Sequence, residues 1–160
     1  MARNRNELDE NKVDAPDRRR LPPLLRTAWY SLNQAFRRRI HHLGITPDQF
    51  TVLRWLSEGE AGGMTQRTLA DLMASDPNTV TSILQRMEEA GLLERHSHES
   101  DKRAKRVCLK PAGAKVYEQA RQIALELQTG VLSALPQEQR EDFLERLERI
   151  AIAAHLTAEG

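Results

Sequence analysis

The feature that most constrains the fold is a pair of short helical patterns separated by a break of only two residues, Ala74 and Ser75. The first pattern, TQRTLADLM, opens with a threonine placed to cap a helix, and the second, PNTVTSILQRMEE, follows an aspartate that can do the same. Apolar residues keep helical spacing until Gly91 ends the second pattern. Two helices around a tight turn are typical of a helix-turn-helix unit. The residues predicted to be buried are Leu69, Leu72, Met73, Val80, Ile83, Leu84 and Met87.

The outward side of the second helix carries no formal charge between Asn78 and Gln85. A helix that enters the major groove of DNA must present short polar side chains to the base edges, and its entry end must not repel phosphate. We therefore predict that this helix binds double-stranded DNA; an unspecialised Ser- and Thr-rich helix is the alternative interpretation. The candidate base-reading residues are Asn78, Thr79, Thr81, Ser82 and Gln85, with Arg86 one turn further on.

The segment LLERHSHESDKRAKRVCL predicts two short strands around a basic hairpin tip. Val107 and Leu109 alternate with Arg106 and Cys108, which places the two pairs on opposite faces of the second strand. Polar and basic side chains around this hairpin, and at the start of the first short helix, are suited to contact the phosphate backbone. The predicted phosphate contacts are Thr65, Gln66, Arg67, Arg95, Lys102, Arg103, Lys105 and Arg106.

Basic charge is also concentrated before this unit, because residues 18–42 contain seven arginines and no acidic residue although the net charge of the chain is only +1. Such zoning favours a polyanionic partner, since phosphates attract Lys and Arg and release counterions. A solvated helix face has the same composition, so both interpretations remain open.

Amphipathic helices flank the helix-turn-helix unit on both sides. A capping box at Thr46 and Gln49 opens one further short helix through Phe50, Leu53 and Leu56. The long helices are predicted over 21–43, from Pro111 to about Leu132 and from Pro136 to about Leu156. Because three apolar stripes lie at opposite ends of one chain, we predict that they pair with the same helices of a twofold mate in a homodimer. The predicted organisation is a disordered tail over 1–20, a dimerisation helix over 21–43, a winged helix-turn-helix region over 44–110 and dimerisation helices over 111–160.

Taken together, the segments MTQRTLADLM, TVTSILQRMEEAGLLER and DKRAKRVCLKPAG resemble the multiple antibiotic resistance regulators, the MarR family, and the resemblance runs from about Leu21 to Leu156. It implies a mainly α fold of the α+β class, a winged helix-turn-helix with a two-stranded wing between long dimerisation helices. Within that resemblance, Asp101 implies a carboxylate that holds the wing loop, and Arg103 implies a side chain in the minor groove. Lys110 departs from the family, which usually has a capping threonine there.

We hypothesise that the dimer sets its two reading helices about one DNA turn apart, roughly 34 Å, and that it binds a pseudo-palindromic operator as a repressor. The resemblance further implies a crevice in which a small aromatic or phenolic ligand binds and releases DNA. The candidate pocket residues are Arg26, Trp29, Tyr30, Phe50 and Arg54, for which aromatic core packing is the alternative.

Other functions are less well supported by the sequence. No nucleophile, base and orienting group occur in a recognisable order, and no phosphate loop or metal motif is present, so we predict neither enzymatic activity nor a cofactor. Zinc at His96 and His98 and oxidant sensing at Cys108 remain alternatives, as does a winged helix that binds protein. No apolar stretch approaches the roughly 18 residues of a membrane span, and no signal peptide is evident, which predicts a cytoplasmic protein.

Overall fold

The structure is a computed structural model that describes residues 15–16, 18–97 and 105–159. Within this part, short 3₁₀ turns follow the first helix at His41–Leu43 and precede the last one at Gln137–Gln139. Residues 1–14 and 17 of the predicted tail lie outside the described residues, as does the predicted hairpin tip. The elements are α1 (Leu21–Ile40), α2 (Pro47–Glu58), β1 (Met64–Thr65), α3 (Gln66–Leu72), α4 (Pro77–Glu89), β2 (Leu93–Ser97), β3 (Lys105–Leu109), α5 (Pro111–Leu132) and α6 (Arg140–Glu159).

The strands form an antiparallel sheet in the order β1-β3-β2. Strand β2 pairs with β3 over its whole length, from Leu93 opposite Leu109 to Ser97 opposite Lys105. The sequence predicted this hairpin but not the third strand, in which Met64 pairs with Val107. A strand of two residues has no alternating pattern, so only its partner in space reveals it. The two-stranded wing is therefore part of a three-stranded sheet.

The core lies between the helix-turn-helix and the sheet, where Leu53, Leu84 and Val107 are fully buried. Ile83 and Met73 pack against this core at partial exposure, and the other predicted core positions of α4 are buried. The prediction for Leu72 is wrong, since that side chain is 41% exposed. The inward face of α3 consists of Leu69, Ala70 and Met73. At 3.6 residues per turn, Leu72 points roughly 110° away from the centre of that face.

The predicted helix ends are largely confirmed. Thr46 and Gln49 form a reciprocal capping box, with Gln49 N donating to Thr46 Oγ1 at 3.2 Å and Thr46 N donating to Gln49 Oε1 at 3.0 Å. Gly44 adopts φ +71° just beyond the first helix and its 3₁₀ turn, a conformation that favours glycine. The last helix was predicted to start at Pro136, but a 3₁₀ turn precedes it and the α-helix begins at Arg140.

The long flanking helices expose much of their apolar surface in the single chain. Only the end of α1 is buried, at Ile40, whereas Trp29 near its start is 68% exposed. In α6, Ile152 and Leu156 are 55% and 63% exposed. Of the helices in the described residues, none is long and apolar enough to cross a membrane.

Candidate nucleic-acid interface

A tight turn sets the angle between α3 and α4. Ala74 has φ +48°, which is unusual for a residue other than glycine, and Ser75 N donates to Ala70 O at 3.1 Å across the turn. Asp76 then caps α4, because its Oδ2 accepts from Thr79 N at 3.0 Å. Pro77 occupies the first turn of α4. The helix therefore begins immediately after the turn, and its first three residues are exposed.

The structure places every candidate base-reading residue on the exposed side of α4. Val80, Leu84 and Met87 anchor the opposite side in the core. Two hydroxyl groups bond to their own helix, from Thr81 Oγ1 to Pro77 O at 2.9 Å and from Ser82 Oγ to Asn78 O at 3.2 Å. Each hydroxyl keeps lone pairs that can accept a bond from a base amino group. The exposed residues are Asn78, Thr79, Thr81, Ser82, Gln85 and Arg86.

The start of α3 lies beside this face. Thr65 caps α3 by accepting from Thr68 N at 3.1 Å, as predicted. Gln66 Nε2 donates to Thr81 Oγ1 at 3.4 Å, which joins the first turn of α3 to the exposed face of α4. Arg67 is exposed. The bond between Gln66 and Thr81 was not expected from the sequence, because no local spacing signals a contact between residues 15 positions apart.

Arg95 does not point outward as expected for a phosphate contact. Its Nε and Nη2 donate to Glu88 Oε2 at 2.9 and 2.6 Å, and its backbone N donates to Glu88 Oε1 at 3.0 Å. Hydrogen bonding from the Arg95 side chain is the main cause that holds the pKa of Glu88 below its usual value, against a smaller desolvation effect. The guanidinium of Arg95 is therefore paired within the protein.

Arg106 is likewise bonded within the protein. Its Nε donates to Gly62 O at 3.0 Å and its Nη2 to Gly63 O at 2.6 Å, so the guanidinium fastens the turn before β1 to strand β3. Gly63 has φ +72° and a Cβ there would lie 2.1 Å from Val107 O, so no other residue fits this close approach. Lys105, at the start of β3, is exposed. Arg106 therefore has a structural role, and its predicted contact with phosphate stays a prediction.

Three predicted wing residues, Asp101, Lys102 and Arg103, lie outside the described residues. Strands β2 and β3 lead to and from them, with Ser97 opposite Lys105 at the loop end of the hairpin. The predicted roles of these three residues at DNA stay predictions.

The candidate pocket residues divide into two sets. Phe50 is buried between Phe36 and Tyr117, at ring-centroid distances of 4.9 and 5.7 Å, and Arg54 Cζ lies 4.8 Å above the Phe50 ring. Tyr117 OH donates to Glu58 Oε1 at 3.3 Å, and burial followed by the Glu58 carboxylate raises the pKa of Tyr117. By contrast, the other predicted pocket residues, Arg26, Trp29 and Tyr30, are all exposed on the first half of α1. The structure brings Phe50 and Arg54 together, and the crevice itself stays a prediction.

The alternative sensing sites have ordinary local partners. His96 Nε2 lies 2.9 Å from Glu94 Oε1 on the same strand, and His98 lies outside the described residues. Within the residues that the structure describes, no group of three or more His, Cys, Asp and Glu side chains is arranged to hold a metal ion. Cys108 is a half-buried free thiol whose Sγ lies 3.5 Å from Gly62 O.

Comparison with known proteins identifies the family. A sequence model of the MarR family matches residues 45–105, from just before α2 to the start of β3. A probable transcriptional regulator from Pseudomonas aeruginosa is 30% identical, with a TM-score of 0.71 over 79% of this chain and 93% of that one. The chain belongs to the MarR family. Its fold of long flanking helices around a winged helix-turn-helix is the one predicted from the sequence.

Two further structures share the fold of this MarR-family chain. The Staphylococcus aureus MepR–DNA complex has a TM-score of 0.79 at 24% identity, over 85% of this chain and 99% of MepR. CouR from Rhodococcus jostii, solved with p-coumaroyl-CoA bound, has a TM-score of 0.71 at 23% identity, over 80% and 89% of the two chains. At these identities the likeness establishes the fold alone.

Among sequence relatives, the HTH-type transcriptional regulator BilQ of Clostridium symbiosum is 29% identical over 92 residues. That match covers 58% of this chain and only 64% of BilQ. The shared segment is thus shorter than either protein, and the activity of the whole relative is not transferred with it.

Proposed function

We propose that this protein is a sequence-specific regulator of transcription that binds double-stranded DNA as a homodimer and represses from a pseudo-palindromic operator. The observation that carries the proposal is the exposed face of α4 between Asn78 and Gln85, which has hydrogen-bonding groups and no charge. Amide side chains such as these bond bidentately to adenine in the major groove, and hydroxyl groups bond to several bases. The role is one of binding, without catalysis.

The electrostatics around this face support the proposal. Arg67, Arg86 and Lys105 are exposed beside it and supply positive charge for phosphate contacts. The first residues of α4, Pro77, Asn78 and Thr79, are exposed, so the duplex can approach the start of the helix. MepR, which shares the fold, was crystallised with DNA. A protein-binding winged helix would tolerate acidic residues on this face, and none is present there.

The flanking helices support a dimer. Two copies joined through α1, α5 and α6 would present two α4 helices to one side of the duplex, and a spacing of roughly 34 Å places both in successive major grooves. The operator then repeats the symmetry of the protein. Repression follows where such a site overlaps a promoter.

The base-reading role of α4 is tested by gel shift with DNA from upstream of the gene and single-base variants of the bound site. We expect Asn78→Ala to reduce discrimination at one base pair in each half-site, by roughly 1–3 kcal/mol, while other positions keep their preference. Equal weakening on every DNA variant would remove Asn78 from the base-reading set.

Arg67→Ala is the matched control for a backbone contact. It should weaken binding about equally on all sequences and reduce the slope of log affinity against log salt by about one. A wild-type protein that binds no upstream DNA would overturn the proposed function as a whole.

We further propose that a small aromatic carboxylate binds beside Phe50 and Arg54 and relieves repression. The Arg54 guanidinium lies over the buried Phe50 ring but is itself exposed, so it can pair with a carboxylate of a ligand. CouR, with the same fold, binds an aromatic acyl thioester. Benzoate and hydroxycinnamates should raise the melting temperature and displace DNA in the same concentration range. Stabilisation without displacement would argue against this switch, and Arg54→Gln tests the assigned partner.

A further inference from the structure

Two adjacent glutamates at the end of α4 have different surroundings. Glu89 is exposed and accepts one bond, from Gln85 Nε2 at 3.1 Å on the same helix. Glu88 is half-buried and accepts three bonds from Arg95, which lies on strand β2. Both carry the same charge at the same end of the helix, so a comparison of the two separates the effect of charge from that of the contact.

The contact between Glu88 and Arg95 holds a strand to a helix. One carboxylate oxygen accepts from the backbone N of Arg95 at 3.0 Å, and the other accepts from its guanidinium at 2.9 and 2.6 Å. The side chain of Arg95 is only 16% exposed, so water competes weakly for these bonds. The carboxylate therefore binds the main chain of β2 as well as its side chain.

The attachment point lies next to the wing. Ser97, two residues after Arg95, ends β2, and Lys105 opposite it begins β3. The chain between Ser97 and Lys105 is therefore connected to the domain through these two strands. A groove-reading helix and a wing contact the duplex together only if their relative orientation is fixed in advance. The bonds of Glu88 act on that orientation, because they join the reading helix to the strand that leads into the wing.

We propose that Glu88 is a positioning residue for DNA binding, an acidic side chain that strengthens binding to a polyanion by locking the wing to the reading helix through Arg95. This inference rests on the proposed function and adds a role that the charge of Glu88 would not suggest. An acid near DNA ordinarily weakens binding by repelling phosphate. Removal of the Glu88 charge would therefore raise the affinity for DNA if repulsion of phosphate dominates, and lower it if the contact with Arg95 dominates.

The test measures operator binding by the full-length chain in a salt series, for the wild type, Glu88→Gln and the matched control Glu89→Gln. Glu88→Gln should weaken binding by roughly five- to tenfold, as expected for the loss of a coupled contact. It should also flatten the salt slope, because a loosened wing engages fewer phosphates. Glu89→Gln removes the same charge but keeps an amide oxygen that can accept from Gln85 Nε2, so it should leave affinity unchanged or raise it. A residue that only stabilises the fold would not change the affinity and salt slope of the folded protein in the way expected for Glu88→Gln.

Further variants keep the test independent of folding. Glu88→Asp retains the charge but shortens the reach to Arg95, and it should weaken binding as well, with a melting temperature that confirms a folded protein. The double variant Glu88→Gln with Arg95→Gln should bind no more weakly than the weaker single variant, since both changes break one contact.

Equal or tighter binding by folded Glu88→Gln would overturn the inference, because a freed Arg95 would then be contacting phosphate itself. In that case the proposed function would stand, since the wild type still binds its operator. A wild type that binds no DNA would overturn both.

Discussion

Arginines around the reading helix divide into two groups by what their guanidinium groups bind. Arg95 and Arg106 bind a carboxylate and two backbone carbonyls of the protein itself, whereas Arg67 and Arg86 are exposed. A fork of donors matches carboxylate, carbonyl and phosphate oxygens alike, so residue type does not decide between them. Which acceptor an arginine binds is determined by the acceptor that the fold places within hydrogen-bond distance of its guanidinium.

The contact of Glu88 with Arg95 predicts a pH dependence of stability. Because hydrogen bonding from Arg95 lowers the pKa of Glu88 in the folded protein, the pair stabilises the fold above the ordinary glutamate pKa of about 4.3. This stabilisation is lost as the pH falls through the lowered pKa. The melting temperature of the wild type should therefore exceed that of Glu88→Gln at neutral pH, and the gap should narrow below about pH 4. A gap that stays constant in acid would contradict the pairing.

Single residues also show the limits of prediction from sequence. Local spacing was enough to predict the Asp76 cap and the outward side of α4, because both depend on neighbours within one helical turn. The bond between Gln66 and Thr81 and the bonds of Arg106 to the turn at Gly62 join residues 15 and 44 positions apart. No periodicity encodes such contacts, so the sequence could not show that Arg95 and Arg106, which were predicted to contact phosphate, bond to groups within the protein.

At the scale of elements, the ends of the helices were the most predictable feature and the smallest strand the least. The capping box of α2 and the start of α5 at Pro111 are where the sequence patterns indicated. Strand β1 was missed because its two residues acquire strand character only by pairing with β3. Leu72 was assigned to the core because it is apolar, although the geometry of α3 turns it outward.

The N-terminus of α5 is a place where a substitution can increase the stability of the protein. Lys110 has extended backbone angles in the cap position, φ −91° and ψ 159°, but no side-chain cap bond. Lys110→Thr should supply a hydroxyl acceptor for the free N–H groups of the first turn and stabilise the protein by about 0.5–2 kcal/mol. Denaturant unfolding measures the change. Lys110→Ala is the control, and an equal gain in that variant would mean that removal of the lysine, and not capping, is responsible.

The whole molecule, as a single chain, leaves apolar surface exposed on its first and last helices, α1 and α6. Trp29 in α1 is 68% exposed and Leu156 in α6 is 63% exposed, while the helix-turn-helix core is closed. Isolated exposed apolar residues are normal, but an exposed set along two helices indicates an interface. The sequence predicted these stripes from their spacing, and it could not show that one chain leaves them uncovered.

We expect the protein to be a dimer through these helices. Trp29→Glu places a charge in the apolar stripe and should shift the protein to monomer at micromolar concentration, because a buried unpaired charge is costly. Sedimentation velocity measures the shift. Ser31→Glu adds the same charge at an exposed position two residues away and should leave the assembly unchanged. A monomeric wild type would contradict the dimer, and equal dissociation of both variants would contradict the assigned face.

The close packing at Gly113 affects how far the α4 helices move when α5 tilts. A Cβ at Gly113 would lie 2.1 Å from Leu92 O, so the start of α5 is pressed against the main chain that leads into β2, with no slack between them. Helix α5 has 22 residues and is therefore about 33 Å long. A rod of that length turned by about 6° at one end moves its other end by about 3.4 Å, one base step of DNA. In a dimer, a small tilt between the paired helices would thus displace the two α4 helices from the positions of successive major grooves.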